Sequence, residues 1–343
     1  MTATRLSGAA RLSAEAENDM KIAVLYQSCE PPETDGIRKP MKPGGYSDSG
    51  ADIVFCLQSN GMEVITPKKE PRSDFDMVFP DTPEGIGSAI AGGADTLWLN
   101  TVLYDGHPVC AVHGVYIIGQ RPEDVSLYDD KFYTNKLLRK QGFSVADSNI
   151  VSLAESYSEP FPCVLKPIRG RGSQGVAICD TPEEFEKTLR AETEQGIYGN
   201  KFMAEEFLPG TEITVSVMPD GTSLPAVERI GHKNGVAPYN GDVPVAENSH
   251  AVKNESAAMK KIRKECEEAV RFLDLKALVR IDCRMDKNGE YKMFDFNLKP
   301  NLTGAGRAGR ENQNCLTMLA AEALGWSYFD LLSRLTEYRW MKH

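Results

Sequence analysis

The sequence predicts an α/β protein in which a parallel α/β unit precedes two smaller α+β units. Strands alternate with helices between residues 21 and 128, a pattern typical of a parallel sheet. A strand, a glycine-rich turn and a returning strand over 161–179 indicate an antiparallel unit. A second hairpin, over 278–298, alternates apolar and polar residues with the period of a strand. A chain of 343 residues is long enough for two or three domains.

Composition excludes several classes of protein. The net charge of −10 argues against a broad surface for nucleic acid or for an anionic membrane. No apolar run approaches the roughly 20 residues of a membrane span. The eight cysteines form no C-x-x-C pair, which predicts a reduced protein without structural zinc. We therefore expect a cytoplasmic protein whose partners are small molecules, with no nucleic acid and no membrane.

The N-terminal residues divide into an extension and a first domain. Residues 1–20 are rich in Ala and Ser, and the acidic Glu15, Glu17 and Asp19 are unlike a transit peptide. We predict a disordered extension there and a parallel α/β domain over 21–128. Its predicted elements are strands over 21–26, 62–65 and 76–79 and a helix over 51–61.

Two further domains are predicted after residue 128. In the first, over 129–208, a helix capped by Asp129 or Asp130 runs to about 141. The second, over 209–343, contains a long helix with Asn254 as its cap and an apolar stripe at helical spacing. The other predicted strands are 161–166, 176–179, 202–208 and 212–218, and the other predicted helices are 181–190, 313–323 and 328–335.

The hairpin over 278–298 carries the most informative pattern. If residues 288–289, Asn-Gly, form a two-residue turn, Asp282 lies opposite Asp295 and Arg280 lies opposite Asn297. Two opposed carboxylates destabilise a hairpin, and a divalent cation would remove that conflict. Asp, Asp and Asn all offer oxygen ligands, which suits Mg²⁺. The alternative is a solvated face with incidental charges. On the return strand, Met293 would share one face with Asp295 and Asn297, and the other face would hold Phe294, Phe296 and Leu298.

A glycine-rich loop over 170–175 joins two predicted strands rather than a strand and a helix. It is therefore neither a Walker A loop nor a Rossmann fingerprint. Such a turn can still offer backbone N–H groups to phosphates. Lys166 ends the preceding strand and Lys131 begins a helix, so both could add positive charge to the same phosphates. A plain hairpin is the alternative.

Three glutamates follow on the next strands. A carboxylate beside a cleft can accept hydrogen bonds from the hydroxyl groups of a ribose. Three glutamates could do so: Glu205, Glu206 and Glu212. The extended backbone of Phe207 and Leu208 can read the edge of an adenine. Taken alone, these glutamates are more typical of edge-strand charges.

The order and spacing of these motifs resemble the ATP-grasp superfamily, and within it the D-alanine–D-alanine ligases and related amino-acid ligases. The resemblance covers about 129–304 well and the first domain loosely. It implies an ATP-grasp fold in which a pre-ATP-grasp domain precedes two subdomains that clamp ATP. It also implies an ATP-dependent ligase that joins a carboxylate to an amine through an acyl phosphate. The implied cofactors are ATP and two Mg²⁺ ions, with Mn²⁺ as an alternative, and the implied assembly is a homodimer.

The resemblance assigns roles to particular residues. Two lysines would hold the phosphates of ATP: Lys131 and Lys166. A mobile lid would include Gly172, Ser173 and Gln174. Glu205 would lie near the adenine amino group, and Glu212 would accept hydrogen bonds from the ribose hydroxyl groups. The hinge backbone would be that of Phe207 and Leu208. The family's flexible loop has a lysine and a tyrosine, whose neighbourhood here contains His232, Lys233 and Tyr239.

The implied catalytic centre lies on the hairpin. Arg280, together with Lys166, would stabilise the transferring phosphoryl group. The metal ligands would be Asp282, Asp295 and Asn297. Asp295 stands where the family usually has Glu, so its shorter side chain alters the geometry with which it could bridge two ions. The presence of the arginine together with all three metal ligands argues against a nucleotide-binding module without catalysis. An ATP-grasp kinase or another carboxylate-activating enzyme remains an alternative.

The turn after the hairpin departs from the family, and so does the loop after the first strand. Asn301 replaces a glycine of the family's substrate-binding turn, and the acidic contact near the N-terminus is replaced by a segment that contains Glu30. We therefore expect a substrate other than D-alanine. Arg307 and Arg310 could bind a substrate carboxylate or could instead brace the closing helices. The candidate substrate residues are Glu30, Asn301, Thr303, Gly304, Arg307 and Arg310.

Overall fold

Three β-sheets organise the part of the protein that a computed structural model describes. No helix among the residues it describes is long and apolar enough to cross a membrane. The prediction for the N-terminal extension falls outside these residues, except for Met20. The structure describes residues 20–37, 41–154, 157, 160–170, 172–232, 235–236 and 245–342.

The predicted helices and strands occur in the predicted order with shifted ends, and this part of the chain also contains elements that were not predicted, such as the strand Thr96–Asn100 and the helix Pro83–Ala91. The strands are β1 Lys21–Tyr26, β2 Glu63–Val64, β3 Phe79–Pro80, β4 Thr96–Asn100, β5 Tyr116–Ile118, β6 Ser148–Val151, β7 Cys163–Pro167, β8 Ala177–Cys179, β9 Phe202–Glu206, β10 Glu212–Val217, β11 Val227–Arg229, β12 Ser249–Ala251, β13 Val279–Met285, β14 Tyr291–Asn297 and β15 Trp340–Met341. The α-helices are α1 Ser47–Ser59, α2 Pro83–Ala91, α3 Pro122–Tyr128, α4 Lys131–Lys140, α5 Pro182–Gln195, α6 Val245–Asn248, α7 Ala257–Phe272, α8 Leu316–Glu322 and α9 Tyr328–Thr336.

The first sheet is parallel, as predicted for the N-terminal unit. β1 pairs in parallel with β2, β3 and β4, and β4 pairs in parallel with β5. β1 is almost wholly buried because it lies between strands and has helix α1 packed beside it. β15 joins this sheet antiparallel to β5, so the end of the chain returns to the first unit. The predicted boundaries of the third domain do not anticipate that return.

The central sheet is antiparallel and has the order β6-β9-β7-β8. Helix α5 covers it with Phe185 and Leu189, which belong to the same buried cluster as the strands. The Thr181 side chain caps this helix by accepting a hydrogen bond from the Glu184 N–H. The helix continues to Gln195, five residues beyond its predicted end, because its chain reverses only at Gly196 with φ +69°.

The third sheet, β12-β11-β10-β13-β14, is also antiparallel. Helix α7 packs on it through the predicted apolar stripe, which includes Ile262, Cys266 and Val270. The predicted cap, Asn254, is wrong. Ser256 caps this helix, since its side chain accepts a hydrogen bond from the Met259 N–H.

The hairpin of β13 and β14 has the predicted register at its functional end. Asp282 lies opposite Asp295, and Arg280 lies opposite Asn297. The turn itself is longer than predicted, since Asp286 N–H donates to Glu290 O. A β-bulge at Phe294 compensates for the extra residue and restores the register.

The bulge also changes which side chains of β14 face the core. Met293 is fully buried with Tyr291, although it was predicted to share a face with Asp295. Phe294, predicted for the apolar face with Phe296, instead lines the cleft described below. A single extra residue reverses the alternation on one side of the bulge, which explains the error.

Candidate active site

A cleft of about 540 Å³ opens between the central and third sheets, and loops of the first unit complete it. This volume is within the range of small-molecule sites. The hairpin of β13 and β14 forms one wall and the strands β7 and β9 another. Its charged lining residues are Lys42, Asp129, Lys131, Lys166, Glu205, Glu206, Glu212, Arg229, Arg280, Asp282, Arg284, Asp295 and Lys299.

The opposed carboxylates of the hairpin lie in this cleft, each next to a cation. Lys131, the first residue of α4, donates a hydrogen bond to Asp295. Arg280 Nε lies 3.2 Å from Asp282 Oδ1. Burial would raise the pKa of Asp295, but Lys131 and Lys166 outweigh it and hold that pKa below its usual value. Asp295 is therefore suited to hold a metal as an anion.

The predicted metal-ligand set contains two carboxylates and one amide. No group of three or more His, Cys, Asp or Glu residues with the geometry of a metal site occurs in the described part of the chain. The third predicted ligand, Asn297, is an amide, and its Oδ1 accepts a hydrogen bond from the Lys299 N–H at 3.2 Å. Asp282, Asp295 and Asn297 form an all-oxygen donor set, which fits Mg²⁺ that keeps water and phosphate as its other ligands.

A buried ion pair lies on the wall of the cleft that β7 and β9 form. Lys166 Nζ lies 2.7 Å from Glu205 Oε1, and the two side chains are only 5% and 4% exposed. Lys166 also donates to the carbonyl of Phe294, the bulged residue, at 3.1 Å. Burial raises the pKa of Glu205, and Lys166 opposes that rise. The bulge thus gives the lysine a partner on the third sheet as well as on the central one.

The glycine-rich loop lies over the cleft, with Gly172, Ser173 and Gln174 among its lining residues. Gly172, Ser173 and Gly175 all have positive φ values, between +58° and +69°. A Cβ at Gly175 would lie 2.8 Å from the Tyr198 ring, so glycine is required there. A turn of this kind can offer backbone N–H groups to an anion.

The predicted nucleoside end contains residues that the sequence reasoning missed. Phe207, Leu208 and Glu212 line the cleft as expected. Arg284 lies with its guanidinium 5.3 Å from the Phe207 ring, and His232 Nε2 lies 2.9 Å from Glu212 Oε2. Arg284 could have been found, because it alternates with Arg280 and Asp282 on β13. Lys233, predicted for ATP binding, and Tyr239 lie outside the described residues.

Most of the predicted substrate residues do not reach the cleft. Asn301 lines it, but Glu30 is exposed outside it. Thr303 and Gly304 are buried behind the lining, and a Cβ at Gly304 would lie 2.4 Å from the Tyr328 ring. At Thr303 and Gly304, packing rather than contact with a ligand explains the residue type.

The two arginines predicted to bind substrate, Arg307 and Arg310, form ion pairs outside the cleft. Arg307 Nε and Arg310 Nε lie 2.9 and 2.8 Å from Asp52 Oδ1, and Arg307 Nη1 lies 2.6 Å from Asp74 Oδ1. Neither arginine lines the cleft. The geometry favours the bracing alternative over substrate binding, although the partner is helix α1 of the first unit and not the closing helices.

With this geometry in view, comparison with known families identifies the chain. The family model described as the C-terminus of D-Ala–D-Ala ligase matches residues 133–337, which is more than half of the chain. The chain belongs to this family. Its ATP-grasp architecture and its membership of an enzyme family of carbon–nitrogen ligases agree with the sequence prediction.

Members of the D-alanine–D-alanine ligase family align with the chain at low identity. The D-alanine–D-alanine ligase of Aquifex aeolicus is 28% identical over 211 residues, which are 60% of this chain and 67% of that protein. That of Synechococcus sp. is 25% identical over 228 residues, or 64% and 66% of the two chains. The aligned part thus spans about two thirds of the length of these relatives.

Solved structures of the same family have the same fold over almost the whole chain. The ligase from Bacillus anthracis complexed with ATP has a TM-score of 0.65 and 19% identity, and covers 93% of this chain and 97% of its own. The ligase from Coxiella burnetii has a TM-score of 0.63 and 15% identity, with 94% of each chain covered. The first unit, which the sequence resemblance covered only loosely, therefore belongs to the shared fold.

Proposed function

We propose that this protein is an ATP-dependent carboxylate–amine ligase that forms an amide through an acyl phosphate. The observation that carries the proposal is the directly opposed pair of Asp282 and Asp295 in the cleft, with Lys131 and Arg280 as their cation partners. Such a set holds a polyanion together with divalent cations, as phosphoryl transfer requires. Family membership supports the same reaction class.

The proposed reaction has two steps. An oxygen of the substrate carboxylate attacks the γ-phosphorus of ATP, and the bond to the β–γ bridging oxygen breaks to release ADP. The amine nitrogen then attacks the acyl carbon, loses a proton, and phosphate leaves with the electrons of the acyl C–O bond. In both steps the chain contributes orientation and charge neutralisation rather than a nucleophile.

Each group on the cleft walls has a role in that scheme. Lys131 and Lys166 bind phosphate oxygens, while Glu205, Glu212 and the hinge at 207–208 bind the nucleoside. Asp282, Asp295 and Asn297 would hold Mg²⁺ (two ions, with Mn²⁺ as an alternative), which neutralises charge on the phosphates when bound. Gly172, Ser173 and Gln174 would cover the phosphates and exclude water, which otherwise hydrolyses the acyl phosphate.

Arg280 is the proposed stabiliser of the transferring phosphoryl group. Its Nε and Nη2 donate to Asp282 at 3.2 and 3.4 Å, which fixes the plane of the guanidinium. Burial would lower the pKa of Arg280, but Asp282 outweighs it and raises that pKa, so the group stays charged. A planar, charged donor in a fixed orientation suits a phosphoryl group in transit.

We expect Arg280→Lys to lower kcat about 100-fold and to change the KM for ATP less than about threefold, because lysine keeps the charge but loses the planar fork. The measurement is steady-state ADP release. Arg284→Lys is the matched control on the same strand, and it should raise the KM for ATP instead. An effect of Arg280→Lys on the KM for ATP alone would contradict the assigned role.

The identity of the substrate is a separate proposal. Asn301 at the cleft supports the expectation of a substrate other than D-alanine, whereas the relatives carry the name D-alanine–D-alanine ligase and lend that expectation no support. D-Alanine therefore belongs in the test panel. The experiment is an ADP-release screen over D- and L-amino acids and small carboxylates, with mass spectrometry of the products. An amide product supports the ligase, and a stable phosphorylated product without an amide would favour a kinase instead.

A further inference from the structure

A histidine–glutamate pair lies at the nucleoside end of the cleft. His232 Nε2 lies 2.9 Å from Glu212 Oε2, and the two side chains are 19% and 6% exposed. Because an ionised carboxylate can only accept hydrogen bonds, the imidazole is the donor in this pair. Glu212 lines the cleft and His232 does not, so the histidine would act on a ligand only through the glutamate.

The two carboxylate oxygens of Glu212 have different surroundings. Oε2 accepts the hydrogen bond from His232 and lies 3.9 Å from Arg284 Nη1. No residue that the structure describes donates a hydrogen bond to Oε1. A carboxylate that is held by one oxygen at the wall of a cleft presents the other oxygen to a ligand.

Arg284 adds positive charge beside Glu212, but its hydrogen bonds go elsewhere. Its Nε donates to the carbonyl of Gly210 at 3.1 Å, and its Nη1 donates to the carbonyl of Gly235 at 2.7 Å. Both acceptors belong to the backbone around the pair. The orientation of the Glu212 carboxylate therefore depends on the hydrogen bond from His232.

The backbone on both sides of His232 is anchored. Arg229 lies opposite Glu212 in the pairing of β10 with β11, and the Ile230 N–H donates to the Asn248 carbonyl at 2.8 Å. Three residues after the histidine, the arginine contact described above holds the chain again. The imidazole is thus fixed to the same sheet as the carboxylate, which a residue that orients another side chain requires.

We propose that His232 is a positioning residue that fixes the Glu212 carboxylate for a hydroxyl group of the ribose. This inference rests on the proposed function, in which Glu212 binds the nucleoside. The imidazole N–H holds Oε2 and sets the plane of the carboxylate, and Oε1 accepts the hydrogen bond from the ribose. A carboxylate held in this way favours a ribonucleotide over a deoxyribonucleotide, because a deoxy sugar leaves a buried acceptor unpaired.

The test is nucleotide binding, which needs neither the acid nor the amine. ATP, 2′-deoxy-ATP and 3′-deoxy-ATP are titrated calorimetrically into the protein with Mg²⁺. We expect the wild type to bind at least one deoxy analogue about tenfold more weakly than ATP, since the lost hydrogen bond is to a charged group. The weaker-binding analogue then serves as the probe. Equal binding of all three nucleotides would overturn the inference.

Variants assign this discrimination to the histidine. His232→Ala should weaken ATP binding about fivefold or more and change binding of the probe less than about twofold, because the probe lacks the hydroxyl group concerned. His232→Gln keeps an N–H donor and should restore part of the discrimination. An equal loss for ATP and the probe would indicate a merely structural residue, and no loss for either would indicate no role; both results contradict the inference.

A second histidine–glutamate pair provides a matched control. His250 Nε2 lies 3.6 Å from Glu228 Oε2, and its side chain is 57% exposed and outside the cleft. His250→Ala should leave the discrimination unchanged. Glu212→Ala should abolish it, and His232→Ala should then add no further loss, because the histidine acts through that carboxylate. A further loss in the double variant would contradict this route.

ADP release separates this inference from the proposed function. If the wild type discriminates as expected but releases no ADP with any acid and amine, the ligase is contradicted and the positioning role stands. If ADP and an amide form while His232→Ala leaves the discrimination intact, the positioning role is contradicted and the ligase stands. A wild type that binds none of the three nucleotides would contradict both.

Discussion

Replacement of Asp295 by Asn should lower kcat by about 100-fold or more, because the change removes one of the two opposed carboxylates without altering the shape of the side chain. ATP should still bind in metal-free buffer, since Lys131 and Lys166 keep their charges. Two measurements check this result: ADP release at saturating Mg²⁺, and nucleotide binding in the presence of a chelator.

The hairpin offers a matched control for this variant. Glu290 lies at the far end of the same hairpin, exposed and paired with Lys261 at 2.6 Å. Glu290→Gln removes the same charge from the same element and should leave kcat unchanged. If Asp295→Asn turns over as fast as the wild type, the assignment of Asp295 as a metal ligand is contradicted. A loss of kcat in both variants would instead indicate damage to the hairpin.

Replacement of Asp52 by Asn should reduce the free energy of unfolding by about 3 kcal/mol. The Asp52 side chain is only 1% exposed and contacts both Arg307 and Arg310. Arg310 binds it in a bidentate way, with Nε 2.8 Å from Oδ1 and Nη2 2.8 Å from Oδ2. The neutral amide would leave two guanidinium groups without their shared carboxylate, and such broken pairs are strongly destabilising.

Urea unfolding measures this effect, and Asp74→Asn is its control. Asp74 binds the same Arg307 at 2.6 Å, but its side chain is about a third exposed, so we expect a loss of roughly 1 kcal/mol or less. Equal losses in the two variants would show that burial does not set the strength of this contact. If Asp52→Asn unfolds at the wild-type midpoint, the arginines do not brace the turn after β14 against helix α1.

Local patterns predicted the geometry of the hairpin wall of the cleft well. The alternation of β13 and β14 placed Asp282 opposite Asp295, and the register survived an error in the turn because the bulge at Phe294 compensated for it. The bulge itself left no signal, since Phe294 reads as an ordinary strand residue. The sequence analysis therefore missed the hydrogen bond that the Phe294 carbonyl accepts from Lys166.

The contacts around the turn after β14 could not be predicted in the same way. Arg307 contacts Asp52 across 255 positions of the chain, and Lys299 lies over Tyr46 across a comparable separation. Neither contact follows from helical or strand periodicity, which reports only near neighbours. A positive φ at Tyr46 is likewise invisible in a sequence in which tyrosine does not favour that conformation.

The pairing of Lys131 with Asp295 and of Arg280 with Asp282 has a thermodynamic consequence. In the proposed function, phosphates would draw the cations away from these carboxylates, and the carboxylates would then attract a metal ion more strongly. Conversely, a metal ion on the carboxylates would leave the cations to the phosphates. Nucleotide and metal would therefore each raise the affinity for the other, and by reciprocity they would do so by the same factor.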